Sequence, residues 1–546
     1  MAATKREIER KYEPVRPGEP GGSRGPGGPE GPGGAGGAGG AEGPGGAGGP
    51  GGAGRPEAAG LPDLTGLGPV AAVVDRGVAV LDAVYYDTSD ERLSTAGLTL
   101  RRRTGGTDAG WHLKLPVAPG VRDEIQAPLS DTVPPDLAGL VRSRVRDSEL
   151  RPLVRLRSER AVRHLVDDGG TLLAEVSVDA VHAERLTGDG GTARWTEIEV
   201  ELADGGEPAL LDKVDKRFCM AGLRPSAAPS KLARALAETA PPDHPRPTAE
   251  PAPVTAGDHV LAHLRAQRDA LVALDPAVRR DVEDSVHRMR VTTRRLRGAL
   301  RSYGRVLDRA ATDPLGAELK WLGGELGLDR DQEVLTERLT AALDALPAEL
   351  VTGPVRARLR SWSEERRGGS RRRLLDVLDG DRHLRLLDAL DALLAGPPLR
   401  APASAEAAEV LARAVRKDFA KLATRLEHAL ALPSGTDRDV ALHQARKQAK
   451  RTRYAAEAAV PALGEAATGV ARAAKTLQGL LGDHQDSVMT REALRDLAAR
   501  AQQAGESSFT YGVLYGREER HAAGLETELP GVWAGLRPYG SALRPG

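Results

Sequence analysis

The spacing of apolar and polar residues predicts two kinds of structure along this chain. Over residues 61–236, short apolar or alternating runs lie between Gly, Asp and Pro turns, a pattern typical of an antiparallel sheet or barrel. These runs occupy residues 78–87, 98–103, 111–115, 153–160, 172–181 and 195–202. Helical patterns in this part are expected near 136–145, 210–221 and 231–237. From about residue 258 to 536, stretches rich in Ala, Leu and Arg predict helices.

The first short run, residues 7–11, carries charge where a buried strand would carry apolar side chains. Side chains of a strand alternate between its two faces, so Glu7, Glu9 and Lys11 point the same way. A similar arrangement returns at 197–201, where Glu alternates with Ile and Val. Such a face is costly to bury unless a charged group fills the space beside it. For the first run alone, an exposed strand or a helical turn with solvated charge is the simpler alternative.

Other predicted strands carry mainly one sign of charge on one face. The sets that share a face are Arg101 with Arg103, His112 with Lys114, Arg155 with Arg157, and Glu175 with Ser177 and Asp179. Carboxylates hold divalent cations through oxygen ligands, whereas Arg and Lys hold phosphate oxygens. If these faces meet, they describe a barrel interior that binds a metal and a polyanion, for which a triphosphate with Mg²⁺ or Mn²⁺ is the natural candidate. A half-solvated sheet with coincidental charges is the competing interpretation.

Two segments of the helical part, 286–297 and 442–453, align without gaps as H-x-x-R-x-x-x-[RK]-R-x-R. A helix turns about 100° per residue, so the basic residues of each segment fall in one stripe. Both segments continue to a similar helix end, at 320–334 and 475–488. We therefore predict an internal duplication of helical units.

No acidic residue interrupts either stripe, from His287 to Arg301 or from His443 to Arg453. Like charges three or four residues apart repel on a helix, which favours a bound anion over a solvated face. The stripes carry no aromatic residue for stacking on bases, which argues against nucleic acid and favours a ligand read through phosphate alone. Neither histidine has a His or an acid three or four residues later, which argues against a metal site there.

Composition limits these interpretations only broadly. The 546 residues suffice for two or three domains, and 77 basic against 77 acidic residues make net charge uninformative about partners. The single cysteine, Cys219, excludes an internal disulfide framework. No signal peptide and no apolar run of roughly 18 residues is visible, so we expect a cytoplasmic protein without membrane contact. Residues 17–60, rich in Gly and Pro, are predicted to be a disordered insertion, and 239–256 a Pro-rich linker.

Six motifs, taken in order, resemble the CYTH family, the triphosphate tunnel metalloenzymes. They are EIERK at 7–11, YYDT at 85–88, LRRR at 100–103, WHLKLP at 111–116, EIEVE at 197–201 and SK at 230–231. The resemblance implies an eight-stranded antiparallel tunnel over residues 1–238 that hydrolyses triphosphates with a divalent metal. Members of the family act on inorganic triphosphate, thiamine triphosphate or RNA ends, and some are adenylyl cyclases.

Carried over by position, the resemblance implies carboxylates at the metal and cations at the phosphates, with Glu7, Glu9 and Lys11 as catalytic residues. The metal side would be Glu7, Glu9, Glu197 and Glu199, with Glu201 and Asp179 as further candidates. The phosphate side would be Lys11, Arg101, Arg103, Lys114, Arg157 and Lys231. Glu159 stands where another basic residue is expected, which leaves the assignments of Arg157 and Arg160 open.

The helical part resembles the CHAD family, helical domains with characteristic histidines that occur beside CYTH domains. The resemblance covers about 257–510 of an expected domain at 257–540. It implies two pseudo-symmetric helical bundles with a basic groove that binds inorganic polyphosphate. The residues in this groove would be His287, Arg290, Arg294, Arg297, Lys320, His443, Arg446, Lys450, Arg453 and Lys475.

The expected fold class is therefore α+β, with an antiparallel eight-stranded β-tunnel followed by an all-α, duplicated helical bundle. The expected function is metal-dependent hydrolysis of a triphosphate, with inorganic triphosphate as the first choice of substrate. The helical domain would bind polyphosphate and associate the protein with polyphosphate granules. A non-catalytic polyphosphate-binding protein and an adenylyl cyclase of the class IV type are the alternatives.

Overall fold

The computed structural model of the chain describes residues 3–14, 61–188, 190–241, 251–367, 370–540 and 543. The predicted disorder of 17–60 lies outside these residues, as does part of the predicted linker at 239–256. Tertiary contacts divide the chain into two compact units, Met1–Pro247 and Thr248–Gly546. Within the described ranges, no helix combines the length and apolar character that a membrane crossing needs.

The first unit is a closed antiparallel β-barrel. Its strands are β1 (Ala3–Pro14), β2 (Ala72–Asp87), β3 (Thr99–Thr104), β4 (Gly110–Ala118), β5 (Val121–Ala127), β6 (Arg151–Val166), β7 (Leu172–Arg185), β8 (Thr192–Leu202) and the short β9 (Leu223–Pro225). Neighbours follow the order β5-β4-β3-β2-β6-β7-β8-β1, and β1 closes the barrel by pairing with β5 as well. This confirms the predicted eight-stranded antiparallel fold, to which β9 adds a short pairing with β1.

Strand β1 closes the barrel because its two halves pair with different neighbours. Residues 3–8 pair with β5, and residues 9–12 pair with β8. The charged face that begins in the β5 half thus continues unbroken beside β8. The sequence patterns do not predict β5, because the residues it turns to the interior are Arg122, Glu124 and Gln126, which leave it no long apolar run.

The apolar faces of the strands point outward and are covered by helices. The helices of this unit are α1 (Arg92–Thr95), α2 (Pro135–Val145), α3 (Pro208–Met220) and α4 (Lys231–Glu238). Ile198 and Val200 of β8 pack with Phe218 of α3, whereas Trp111 of β4 packs with Leu137 of α2. Burial of these faces, at about 25 cal/mol per Å² of apolar surface, stabilises the barrel from outside. The interior is therefore left to polar residues.

The described part of the second unit is built from helices, as predicted. Its helices are α5 (Ala256–Arg279), α6 (Ser285–Ser302), α7 (Arg309–Glu325), α8 (Gly327–Asp344), α9 (Val355–Arg367), α10 (Ser370–Asp379), α11 (Asp381–Ala395), α12 (Ala407–Ala431), α13 (Thr436–Leu463), α14 (Glu465–Gln503) and α15 (Phe509–Leu536), with 3₁₀ turns at Ala348–Leu350, Ala401–Ser404 and Arg537–Gly540. One large apolar core joins α5, α6, α12 and α13, and a smaller one joins α8, α9, α14 and α15.

Candidate active site in the barrel interior

The barrel encloses a cavity of about 860 Å³ whose wall is charged. Most of the predicted site residues line it, because the alternation along each strand puts every second side chain inside. The predicted residues that line the cavity are Glu7, Glu9, Lys11, Arg101, Arg103, Lys114, Glu199, Glu201 and Lys231. Charged residues of β1, β3, β4, β8 and α4 are thus brought to one enclosed space.

One side of the cavity is acidic and is built by β1 and β8. Across the two strands, Glu9 faces Glu201 and Lys11 faces Glu199, the separation at which side chains interact directly. The Lys11 ammonium ion-pairs with Glu199, and its Nζ lies 3.4 Å from Glu9 Oε1. Burial alone would lower the pKa of Lys11, but the charges of Glu199 and Glu9 raise it well above its usual value. Lys11 therefore neutralises the acidic wall.

Glu7 occupies the end of β1 nearest β5. Lys114 Nζ donates to Glu7 Oε2 at 2.6 Å and lies 3.7 Å from Glu124 Oε1. Burial raises the pKa of Glu7 to about 7, helped by the negative charges of Glu124 and Glu201 and opposed by Lys114. At Glu124, burial is outweighed by the hydrogen bond from His112 and the charge of Lys114, which hold its pKa well below the usual range. Two carboxyl groups on neighbouring strands thus differ in proton affinity.

The opposite side of the cavity is basic. Arg101 and Arg103 of β3 share it with Arg160 of β6. Burial and the charges of Arg101 and Arg160 lower the pKa of Arg103 to about 9, although Arg103 also ion-pairs with Asp108. Desolvation disfavours the charged form of a buried cation, and neighbouring like charges add to that effect. Each of these cations also has a carboxylate partner, since Arg160 donates to Glu199 Oε2 at 2.8 Å and Arg101 Nη2 lies 3.7 Å from Glu124 Oε1.

Lys231 stands where helix α4 begins, and the Ser230 side chain caps that helix by accepting a hydrogen bond from the Ala233 amide. Lys231 Nζ lies 3.0 Å from Asp179 Oδ2 and 2.6 Å from Glu199 Oε2. Burial alone lowers the pKa of Lys231, but the carboxylates of Asp179 and Glu199 raise it above the usual value. Lys231 therefore stays charged at the junction of the acidic and basic sides.

Asp179 and Glu197, both predicted at the metal, lie behind the cavity wall, where neither is exposed. Both oxygens of Asp179 accept hydrogen bonds from Arg160, at 2.8 and 2.7 Å. Asp179 is thus a partner that holds Arg160, since no free oxygen points into the cavity. Glu197 Oε1 lies 3.2 Å from Lys231 Nζ without hydrogen-bond geometry.

The structure corrects the predicted placement of Arg157. Arg157 and Arg160 are three positions apart on β6, and an odd separation puts them on opposite faces. Arg160 lines the cavity, whereas the Arg157 side chain is 55% exposed on the outside and lies 3.7 Å from Asp82. Between the two arginines that the sequence left open, Arg160 is the one inside.

Sequence reasoning missed several polar cavity residues, among them three from β5. Arg122, Glu124 and Gln126 of β5 all point inward. The alternation of polar residues at 122, 124 and 126 was the available signal, although its apolar partner positions are interrupted by Asp123. Glu124 gains importance from its contacts, because His112 Nδ1 lies 2.9 Å from its Oε1.

The carboxylates in the wall suit a divalent cation. Glu7, Glu9, Glu199 and Glu201 come from neighbouring strands and offer only oxygen ligands, the donor type that Mg²⁺ and Mn²⁺ prefer. The ammonium groups of Lys11 and Lys114 pair with Glu199 and Glu7 in the structure. The residues present therefore fit a metal of this class.

In the helical unit, the two basic stripes lie in equivalent surroundings. A Cβ atom at Gly327 would come within 2.9 Å of Arg290 Nη2, and one at Gly482 within 3.4 Å of Arg446 Nη2. The same close approach of Arg to Gly thus occurs in both repeats. Most other predicted groove residues are half-buried or paired in part, as Arg453 is with Glu457 at 2.7 Å. The exposed members are His287, Lys320 and Lys475.

Comparison with known proteins covers both units. The CYTH domain family matches residues 70–235, and the CHAD domain family matches residues 262–495. The chain belongs to the CYTH–CHAD proteins. CYTH domains bind triphosphates, depend on metal, and generally have triphosphatase or cyclase activity. The match also agrees with the order of the two units along the chain.

Two similar chains come from Mycobacterium tuberculosis. Uncharacterized protein Rv2226 is 41% identical over 482 residues, which cover 85% of this chain and 90% of that protein, and Uncharacterized protein MT2285 gives the same figures. Among solved structures, PptA from Streptomyces chartreusis is 21% identical, with a TM-score of 0.44, and covers 52% of this chain and 100% of its own. The CHAD domain from the plant Ricinus communis is 24% identical, with a TM-score of 0.41, and the match covers 55% of this chain and 97% of that domain.

Proposed function

We propose that the CYTH domain of this chain hydrolyses inorganic triphosphate with Mg²⁺ or Mn²⁺, and that its CHAD domain binds polyphosphate. The observation that carries the first part is the meeting of a basic side and an acidic side in one cavity. Burial, together with repulsion from Arg101 and Arg160, lowers the pKa of Arg103 to about 9. A row of phosphates relieves that repulsion while it presents oxygens to a cation on the carboxylates.

Each side of the cavity has a separate task in this proposal. Arg101, Arg103, Lys114 and Lys231 bind phosphate oxygens and align the chain of phosphates for in-line displacement. Lys11 holds the carboxylates of Glu9 and Glu199 in place. Glu7, Glu9, Glu199 and Glu201 would hold Mg²⁺ or Mn²⁺, which would supply charge neutralisation at the reacting phosphoryl group.

The choice of an inorganic substrate rests on what the cavity lacks among its described lining residues. The aromatic side chain there is Tyr85, which is 4% exposed and accepts a hydrogen bond from Arg101 at 3.3 Å. Tyr85 therefore offers no free face on which a nucleobase or a thiazole ring stacks. Charged and small side chains make up most of the remaining wall, which suits a ligand that consists of phosphate alone.

The test is phosphate release by the full chain from tripolyphosphate, with and without Mg²⁺ or Mn²⁺. The variant Glu9→Gln removes a wall carboxylate and is expected to lower the metal-dependent rate by at least about a hundredfold. Glu159→Gln, an exposed carboxylate on the outer face of β6, is the matched control and should keep the parental rate. Full activity in Glu9→Gln would refute the site assignment.

Parallel reactions with ATP separate the alternatives. Cyclic AMP production would identify a cyclase, and tight binding of tripolyphosphate without phosphate release would identify a non-catalytic binding protein. Thermal melts of each variant show whether a lost rate reflects lost folding. Activity on ATP above that on tripolyphosphate would contradict the choice of an inorganic substrate.

The second part of the proposal rests on the two equivalent basic stripes of the CHAD domain. The charges of Arg446 and Lys450 both act on Asp486. No acidic residue lies between Arg446 and Lys450 on their helix. Labelled long-chain polyphosphate should bind the full chain tightly, with an affinity that falls steeply as salt increases. Charge reversal at Arg290, Arg294 and Arg446 together should abolish most of that binding, and unchanged binding would contradict the groove.

A further inference from the structure

A second basic surface adjoins the groove of the CHAD domain on helix α12. Lys417, Lys421 and Arg425 are spaced four residues apart on this helix, so they form one stripe, and all three side chains are exposed. The stripe extends about 12 Å, from the rise of a helix per residue. Neither basic repeat of the sequence contains it, because it lies outside the aligned segments.

Arg451 connects this surface to the groove. Its Nη2 donates to the Arg301 carbonyl at 2.9 Å, and its Nε donates to Asp418 Oδ2 at 3.0 Å. Arg425 Nη1 donates to Gln448 Oε1 at 3.4 Å, and Gln448 in turn donates to the Asp418 carbonyl. These hydrogen bonds therefore link helices α6, α12 and α13 at the place where their basic side chains lie close together.

The positive charges at this junction repel one another. Burial and the charges of Arg301 and Arg451 lower the pKa of Arg297, and burial and the charge of Arg451 lower the pKa of Lys421. Among the described groups that act on these side chains, Asp418 supplies the opposing charge, and it is 1% exposed and already accepts hydrogen bonds from Ser302 and Arg451. One buried carboxylate is too little to neutralise the exposed cations around it.

We propose that Lys417, Lys421 and Arg425 of α12 form an additional anion site that continues the groove through Arg451, and that a polyphosphate chain lies across both surfaces. This inference rests on the proposed binding of polyphosphate by the CHAD domain and deepens it. The α12 stripe alone extends about 12 Å along its helix, so only a long chain of phosphates can follow it and continue into the groove. The extended surface therefore makes the domain selective for long chains.

The chemistry favours polyphosphate over nucleic acid as the occupant. The exposed side chains of the stripe are two lysines and an arginine, which contact phosphate oxygens without reading bases. Phe419, the aromatic residue within this stretch of α12, is 6% exposed and packs in the core. A surface for single-stranded nucleic acid would need aromatic faces for stacking.

The experiment measures binding of labelled long-chain polyphosphate to the full chain, without metal and at several salt concentrations. The test protein carries Lys417→Gln, Lys421→Gln and Arg425→Gln. The control carries Arg309→Gln, Arg373→Gln and Arg382→Gln, which remove the same charge from arginines that already pair with Asp313, Glu325 and Glu318. All six side chains are exposed, and melting curves verify folding.

The α12 variant is expected to bind about tenfold more weakly, the sum of three exposed charge contacts. The slope of log affinity against log salt should shrink by about 2 in magnitude, because three fewer cations meet phosphate. The affinity of the control should stay within about twofold of that of the parent, because its three arginines already pair with carboxylates.

Unchanged affinity and slope in the α12 variant, with tight binding by the parent, would overturn the α12 site and leave the proposed function intact. An equal loss in the control would show a net-charge effect and would also overturn the site. Failure of the parent chain to bind polyphosphate would overturn the proposed function and this inference with it. Preference for single-stranded DNA at equal phosphate concentration would overturn the choice of ligand.

Discussion

His263 on α5 should make the free energy of unfolding of the helical unit depend on pH. Its Nε2 atom is buried without a hydrogen-bond partner in the described structure. Burial and the positive charge of Arg295 lower the pKa of His263 to about 4, from an ordinary value of 6.5. Arg295 itself is held beside it by Glu457, at 3.0 Å. The imidazole of His263 therefore binds a proton less readily in the folded protein than in the unfolded chain.

The sign and size of the effect follow from that difference. Between pH 6.5 and about 4, the unfolded chain binds the proton and the folded chain does not, so the free energy of unfolding falls as pH falls. At about 1.36 kcal/mol per pKa unit, the full loss is at most about 3.4 kcal/mol. At pH 5, the same two pKa values give about 2 kcal/mol. Above pH 6.5 the contribution disappears.

The assay compares the full chain with His263→Gln, by urea unfolding monitored through helical circular dichroism. The difference in the free energy of unfolding between the two proteins should be nearly constant above neutral pH. It should shift in favour of the variant by about 2 kcal/mol at pH 5. His428→Gln, at an exposed histidine of α12, is the matched control. A difference for His263→Gln that does not change with pH would refute the reasoning.

Three further predictions test the barrel and the groove. Asp179→Asn should destabilise the barrel by about 3–5 kcal/mol, because Arg160 and Lys231 lose a fully buried counter-ion; a urea midpoint equal to that of the parent would contradict this. Arg101→Gln should raise the KM for tripolyphosphate at least about tenfold, whereas Arg157→Gln should leave it unchanged, because Arg157 lies outside the cavity; equal effects in steady-state kinetics would contradict the placement. Gly482→Val should weaken polyphosphate binding about tenfold by displacing Arg446, with little change in melting temperature; undiminished affinity in a binding titration would show that the close approach has no role.

Much of the barrel and its chemistry could be predicted from local patterns. Alternation with period two assigns Glu7, Glu9 and Lys11 to one face and Glu197, Glu199 and Glu201 to another, wherever the strands lie. Strand β5 was missed because Arg122, Glu124 and Gln126 interrupt the apolar signal that marks a strand.

Period two does not say which face of a strand points inward. On β6, Arg157 and Arg160 lie on opposite faces, and the register with β2 and β7 decides between them, with Arg160 beside Asp179. In the helical unit, the stripes on α6 and α13 follow from the spacing of residues within one helix. The stripe on α12 becomes part of a larger basic surface only through Arg451, which comes from another helix.

The sequence by itself determined the two fold classes, the order of the units, and the types of charge available to each. These depend on contacts between residues near one another in the chain, which spacing records. Tertiary structure alone decided how the charges are used. Asp179 accepts hydrogen bonds from Arg160, and Lys11 forms an ion pair with Glu199. Both contacts form because closure of the barrel brings strands that are remote in sequence to hydrogen-bonding distance. Such pairings depend on the register between strands that are remote in sequence, which the pattern within one strand does not specify.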